Sequence, residues 1–172
     1  VIAEARARGL TVAGVLTEDG TSSDGARLQY VQDLESGQRH LLASAQSGGA
    51  APALHRQESR RTTPSGVPSF GWSFDEDGVT FGRLALEACL CGSCHVLVID
   101  QLGPLEIWEG RGWQVAFDLI IRGGYDLALV VVNPRVLGQV QSRLGACEVV
   151  AVSEEDRGAL PETICAAHLP EV

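Results

Sequence analysis

Val96-Leu97-Val98-Ile99-Asp100-Gln101-Leu102-Gly103-Pro104-Leu105-Glu106 is the stretch on which the reading of this 172-residue chain turns. Val96 to Ile99 is branched and apolar at both parities, and the run ends in an aspartate. A strand with one wet face alternates. One that is apolar throughout is buried on both faces, as in a parallel sheet layered between helices. The carboxylate then falls at the C-terminal end of the strand, the edge at which open α/β sheets bind ligands. Gly103-Pro104 turns the chain, and Glu106 lies just beyond.

The same pattern recurs downstream. Leu127 to Val132 predicts a second fully buried strand, and Glu148 to Val152 a third. Helical spacing fills the intervals. Asp75 or Asp77 caps a helix running to about Cys91, with Phe81, Leu84, Ala85 and Ala88 on one face. A helix from about Gly112 to Arg122 carries Trp113, Ala116, Phe117, Ile120 and Ile121. Val136 to Leu144 and Leu160 to Ala167 are two more. Helix and strand alternating in this way predict right-handed crossovers and a mostly parallel sheet flanked by helices.

The N-terminal half reads differently. Val1 to Arg8 is a helix capped by Gly9, and Leu10 to Leu16 a strand with Gly14 inside it. After a turn over Glu18 to Gly25, Arg27 to Leu34 and Gln38 to Ala43 form a β-hairpin with one exposed face. Residues 44–68, rich in Ser, Gly, Ala, Pro and Arg and without periodicity, predict a flexible loop. Phe70 to Phe74 is a short strand. The whole, residues 1–172, reads as a single domain whose opening helix lacks a strand before it. The expectation is an N-terminally incomplete domain, short of one strand and one loop.

Composition bounds the function. The net charge of −9 argues against non-specific binding to a nucleic-acid polyanion. No apolar run is long enough to span a bilayer, and charges interrupt the start every few residues, unlike a signal peptide. The expected setting is cytoplasmic, with the five cysteines reduced.

The order of segments resembles the THEP1-type nucleoside-triphosphatases, a P-loop family, over nearly the whole chain. Val12-Ala13-Gly14-Val15-Leu16-Thr17-Glu18 is similar to the strand that follows the family's phosphate-loop helix. Gly25-Ala26-Arg27-Leu28-Gln29-Tyr30 resembles its Gly-x-Arg-x-Gly-Phe segment. Ile99-Asp100-Gln101-Leu102-Gly103-Pro104-Leu105-Glu106-Ile107 resembles its Ile-Asp-Glu-Ile-Gly-Lys-Met-Glu-Leu, the Walker B strand. The last loop of the family, with an Asn-Arg pair, is matched by Asp156-Arg157.

The resemblance implies hydrolysis of ATP, GTP or a related nucleotide with Mg²⁺. Asp100 would hold the ion, Gln101 would orient the attacking water, and Glu106 would support the site or start a helix. Arg27 and Arg157, with their planar donor forks, would contact phosphate or base. Two departures stand out. Position 101 is Gln where the family has Glu; an amide orients water but takes no proton at neutral pH. The Walker A motif Gly-x-x-x-x-Gly-Lys-Ser/Thr is missing, and the sequence contains no lysine. The chain alone is therefore expected to bind nucleotide weakly or not at all.

Two other classes stay open. One is a degenerate domain that binds a nucleotide or a partner without turnover. The other is a metal or redox module. Cys89, Cys91 and Cys94, beside His95 and with Cys147 as a fourth sulfur, offer soft ligands for Zn²⁺. Against that stands the ordinary use of cysteine as a small buried residue. The basic run His55 to Arg61 is a minor candidate for gripping a polyphosphate or an acidic partner, and Trp108, beside Gly110 and Gly112, for lining a base pocket.

Overall fold

Apolar residues at both parities need helices on both sides, and the chain supplies them. The computed structural model describes residues 1–45 and 71–169. Its elements are α1 (Ile2–Ala7), β1 (Val12–Thr21), β2 (Arg27–Asp33), β3 (Arg39–Ala45), β4 (Trp72–Phe74), α2 (Glu76–Cys89), β5 (Val96–Leu102), α3 (Pro104–Trp108), α4 (Val115–Arg122), β6 (Leu127–Val132), α5 (Leu137–Leu144) and α6 (Leu160–His168). The expected loop over residues 44–68 lies, from residue 46 on, outside the described residues, as does the run His55 to Arg61. Ser44 and Ala45 belong to β3.

The described strands form one sheet in the order β4-β3-β2-β1-β5-β6. The β1–β5 and β5–β6 pairs are parallel, and the β1–β2, β2–β3 and β3–β4 pairs are antiparallel. The expectation of a mostly parallel sheet is thus corrected to a mixed one. The cause is the hairpin, which is not a side ornament: β1 continues past its parallel partner and pairs with β2 from Val15↔Asp33 out to Thr21↔Arg27. Glu18 to Thr21, expected in a turn, are the outer half of β1. The turn itself is tighter, closed by Ser22 N–H on Ala26 O at 2.9 Å.

Each face of the sheet carries its own apolar cluster. Val15, Leu97 and Ile99 pack with Leu86 of α2, Ala116 and Phe117 of α4 and Val140 of α5. Val12, Val96 and Val98 pack with Ala5 of α1 and Cys165 of α6 on the other side. Val96 to Ile99 is accordingly buried on both faces, as its composition dictates. Gly14 lets β1 and β5 meet: its φ is +107°, and a Cβ there would lie 1.9 Å from the Val98 carbonyl oxygen.

Three further expectations are corrected. β6 is an edge strand, half-buried rather than fully buried, with Val131 49% exposed. Glu148 to Val152 forms no strand; Val149, Val150 and Val152 stand exposed. β-branched residues suit a pleated, half-buried surface, but they make a strand only against a partner edge. The face of α2 is centred on Gly78, Gly82 and Leu86, spaced by four, while Leu84 is exposed. A Cβ at Gly78 would strike the Leu41 carbonyl at 1.8 Å, and one at Gly82 the Trp113 ring at 2.7 Å, so the helix packs on its glycines. Likewise Ile121 points to solvent from α4.

Candidate functional site

Asp100 stands where β1 and β5 part. Their last parallel pair is Val15↔Ile99, and β1 then leaves with β2. Thr17, two residues past that pair, meets Asp100 instead of a ladder carbonyl. Its N–H and its Oγ1 both donate to Asp100 Oδ2, at 3.1 and 2.9 Å. Among the described residues no hydrogen bond or ion pair falls on Oδ1. Asp100 is half-buried, with one oxygen fixed by protein and the other left at the C-terminal ends of the parallel strands.

Gln101 is exposed because β5 bulges there. Asp100 pairs with Val131 and Leu102 with Val132, so Gln101 is the extra residue. A bulge re-aims a side chain and ends regular pairing, and such irregularities concentrate beside active sites. The strand therefore presents adjacent Asp and Gln side chains at its tip.

Glu106 is placed otherwise. It is only 6% exposed. Its Oε2 accepts from Gly103 N–H at 2.9 Å and its Oε1 from Trp113 N–H at 3.1 Å. The first bond caps the start of α3, and the second ties the loop before α4 back onto it. Burial pushes its carboxyl upward from the ordinary 4.5, against the pull of these N–H groups. Gly112 closes over it with φ +67°, leaving no room for a Cβ, which would sit 2.1 Å from Oε1. Both oxygens accept from backbone N–H groups, the geometry of a helix-start carboxylate.

Among the described residues neither Arg27 nor Arg157 has a hydrogen bond or ion pair with Asp100. Arg27 pairs with Thr21 at the far end of the hairpin. That is five residues along β1 from the level of Asp100, roughly 17 Å of strand. It lies 3.8 Å from Asp19 and over the Trp72 ring at 5.6 Å. Arg157 is exposed in the turn before α6, where Ser153 and Asp156 bond to each other. Trp108 is 49% exposed on α3, whereas Trp113 is a packing anchor whose Nε1–H donates to Val79 O.

The four cysteines of the zinc alternative are not grouped as a ligand set. Cys91 and Cys147 are exposed, Cys89 and Cys94 pack into the α2 side of the core, and all five cysteines are free. Among the described residues no three His, Cys, Asp or Glu side chains group to hold a metal ion. Burial, with Cys94 close by, pushes the Cys89 thiol up to about 11, which suits an inert core thiol. A single carboxylate is nevertheless a fitting partner for Mg²⁺, which binds through one or two carboxylates, waters and substrate phosphates rather than an all-protein cage. Asp100, with Oδ2 anchored and no partner on Oδ1 among the described residues, is a carboxylate that could hold the ion.

The residue missed from sequence is Thr17. The signal was present in the order of elements: a threonine just past the point where a parallel ladder must end.

No protein-family model matches the chain, and no curated protein matches its sequence. Among solved structures, THEP1 from the hyperthermophile Aquifex aeolicus superposes with a TM-score of 0.62 over 98% of this chain and 91% of that one, at 12% identity. The two chains share a fold, a mixed α/β sheet flanked by helices. A likeness at this identity speaks for the architecture alone. No described helix is long and apolar enough to cross a membrane.

Proposed function

We propose that this protein is a nucleoside-triphosphatase in which Asp100 holds the Mg²⁺ of a bound nucleoside triphosphate. The observation that carries this is the Asp100 carboxylate at the strand tips, with Oδ2 bound twice by Thr17 and, among the described residues, no partner on Oδ1. When bound, Mg²⁺ would neutralise charge on the phosphates. The chain's own work is to position Asp100 and, through Gln101, to orient a water by hydrogen bonds. Positioning and charge neutralisation account for most of phosphoryl-transfer catalysis, so an amide in place of a carboxylate slows turnover without removing its basis.

The phosphates also need a cradle of backbone N–H groups and a cation. The five free thiols fit a reducing compartment such as the cytoplasm.

The test is phosphate release by the full-length protein. The expected result is release from nucleoside triphosphates that requires Mg²⁺ and disappears in Asp100→Asn. Release that persists in that variant removes Asp100 from the site. Mg²⁺-linked nucleotide binding with no release would favour the second reading, a non-hydrolysing nucleotide- or partner-binding domain, which Gln101 supports.

A further inference from the structure

We infer that Thr17 is a positioning residue for the Asp100 ligand, fixing which carboxylate oxygen faces the cation. This rests on the assignment of Asp100 to Mg²⁺ proposed above. An aspartate at a strand tip rotates about χ2 between orientations that exchange its oxygens. Here two donors from one residue, the Thr17 N–H at 3.1 Å and Oγ1 at 2.9 Å, converge on Oδ2. Donors converging on one oxygen fix the carboxylate plane and leave Oδ1 as the ligand atom.

The backbone makes this pairing available. The parallel ladder stops at Val15↔Ile99, so the Thr17 N–H on the β5 side has no strand carbonyl to meet. Beyond it β1 is held by β2, with Thr17 opposite Val31, so Thr17 is anchored independently of Asp100. The carboxylate is thus referenced to a rigid strand. Bonds of this kind to a ligating group tune metal affinity, and their removal costs on the order of tenfold or more.

A merely structural pairing would cap the strand end and nothing else. The experiment separates the two by measuring the affinity of the full-length protein for a non-hydrolysable nucleoside triphosphate analogue, with Mg²⁺ and with a chelator instead. The ratio of the two affinities is the metal linkage. Thr17→Val keeps the N–H and the β-branched shape but loses the hydroxyl, and Thr17→Ser keeps the hydroxyl. The expected result is a linkage reduced on the order of tenfold in Thr17→Val and restored in Thr17→Ser, with melting temperatures close to that of the native protein. If Thr17→Val does not fold, Thr17→Ala carries the same comparison with Thr17→Ser. A full linkage in Thr17→Val or Thr17→Ala, alongside its loss in Asp100→Asn, overturns the inference and leaves the proposed function standing. A linkage that Asp100→Asn leaves intact overturns the proposed function itself, and this inference with it.

Discussion

Two acidic residues of one short stretch end in opposite situations. Asp100 gives one oxygen to Thr17 and has no partner on the other among the described residues, whereas both oxygens of Glu106 are engaged by backbone N–H groups. Sequence alone allowed both to serve the site, because spacing does not say which carboxylate a loop will fold over. Glu106 makes a pH prediction. Burial raises its folded pKa above the ordinary 4.5, so the folded state holds the proton more tightly than the unfolded chain does. The stability from that proton is complete below the ordinary value and is lost as pH rises through the raised one. In Glu106→Gln this contribution is absent. Urea midpoints measured from pH 4 upward should therefore show the native protein losing stability relative to the variant across that window. A difference that stays constant with pH would show that Glu106 does not titrate in this way.

At the scale of elements, α2 carries the most informative error. Phe81 and Ala85 do pack inward, but the centre of the buried stripe is Gly78, Gly82 and Leu86, and Leu84 is outside. Hydropathy patterns give little weight to glycine, whereas close backbone packing selects it. The consequence is measurable. Gly78→Ala pushes a Cβ into the Leu41 backbone and should cost about 3 kcal/mol. Gly138→Ala, in α5 with nothing within 4 Å of its Cβ, should instead stabilise the protein by about 0.5–1 kcal/mol. Thermal or denaturant melts of the two variants check the contrast, and equal effects would refute the packing described for α2. The boundary of β1 was misread for a related reason. Glu18 and Asp19 look like turn residues, yet pairing with β2 extends them as strand.

For the whole molecule, the sheet edge matters most. Among the described strands β6 lies at an edge, uncharged and half-exposed, with none of the lysines or prolines that usually blunt one. If β6 is an uncovered edge in solution as it is among the described strands, the protein self-associates as its concentration rises. Val131→Lys should reduce that association, seen as light scattering against concentration, while moving stability by no more than roughly 0.5 kcal/mol. Scattering that the substitution leaves unchanged would place the association elsewhere. The layered α/β architecture itself was legible from β5 and the helical spacings around it. The strand order and the pairing state of residues 148–152 were not, since each depends on which edge lies beside which.

The sequence by itself determined that β5 is buried on both faces and delivers an aspartate to its C-terminal end, because a run of branched apolar residues has only one comfortable environment. It also determined that helices cover the sheet on both sides. The tertiary structure alone decided that Thr17 holds Asp100, that Glu106 is bound by the backbone of its own loop, and that the valines after Gly145 find no partner strand among the described residues. Those outcomes depend on groups far apart in the chain meeting at hydrogen-bond distance, and residue spacing does not encode such meetings.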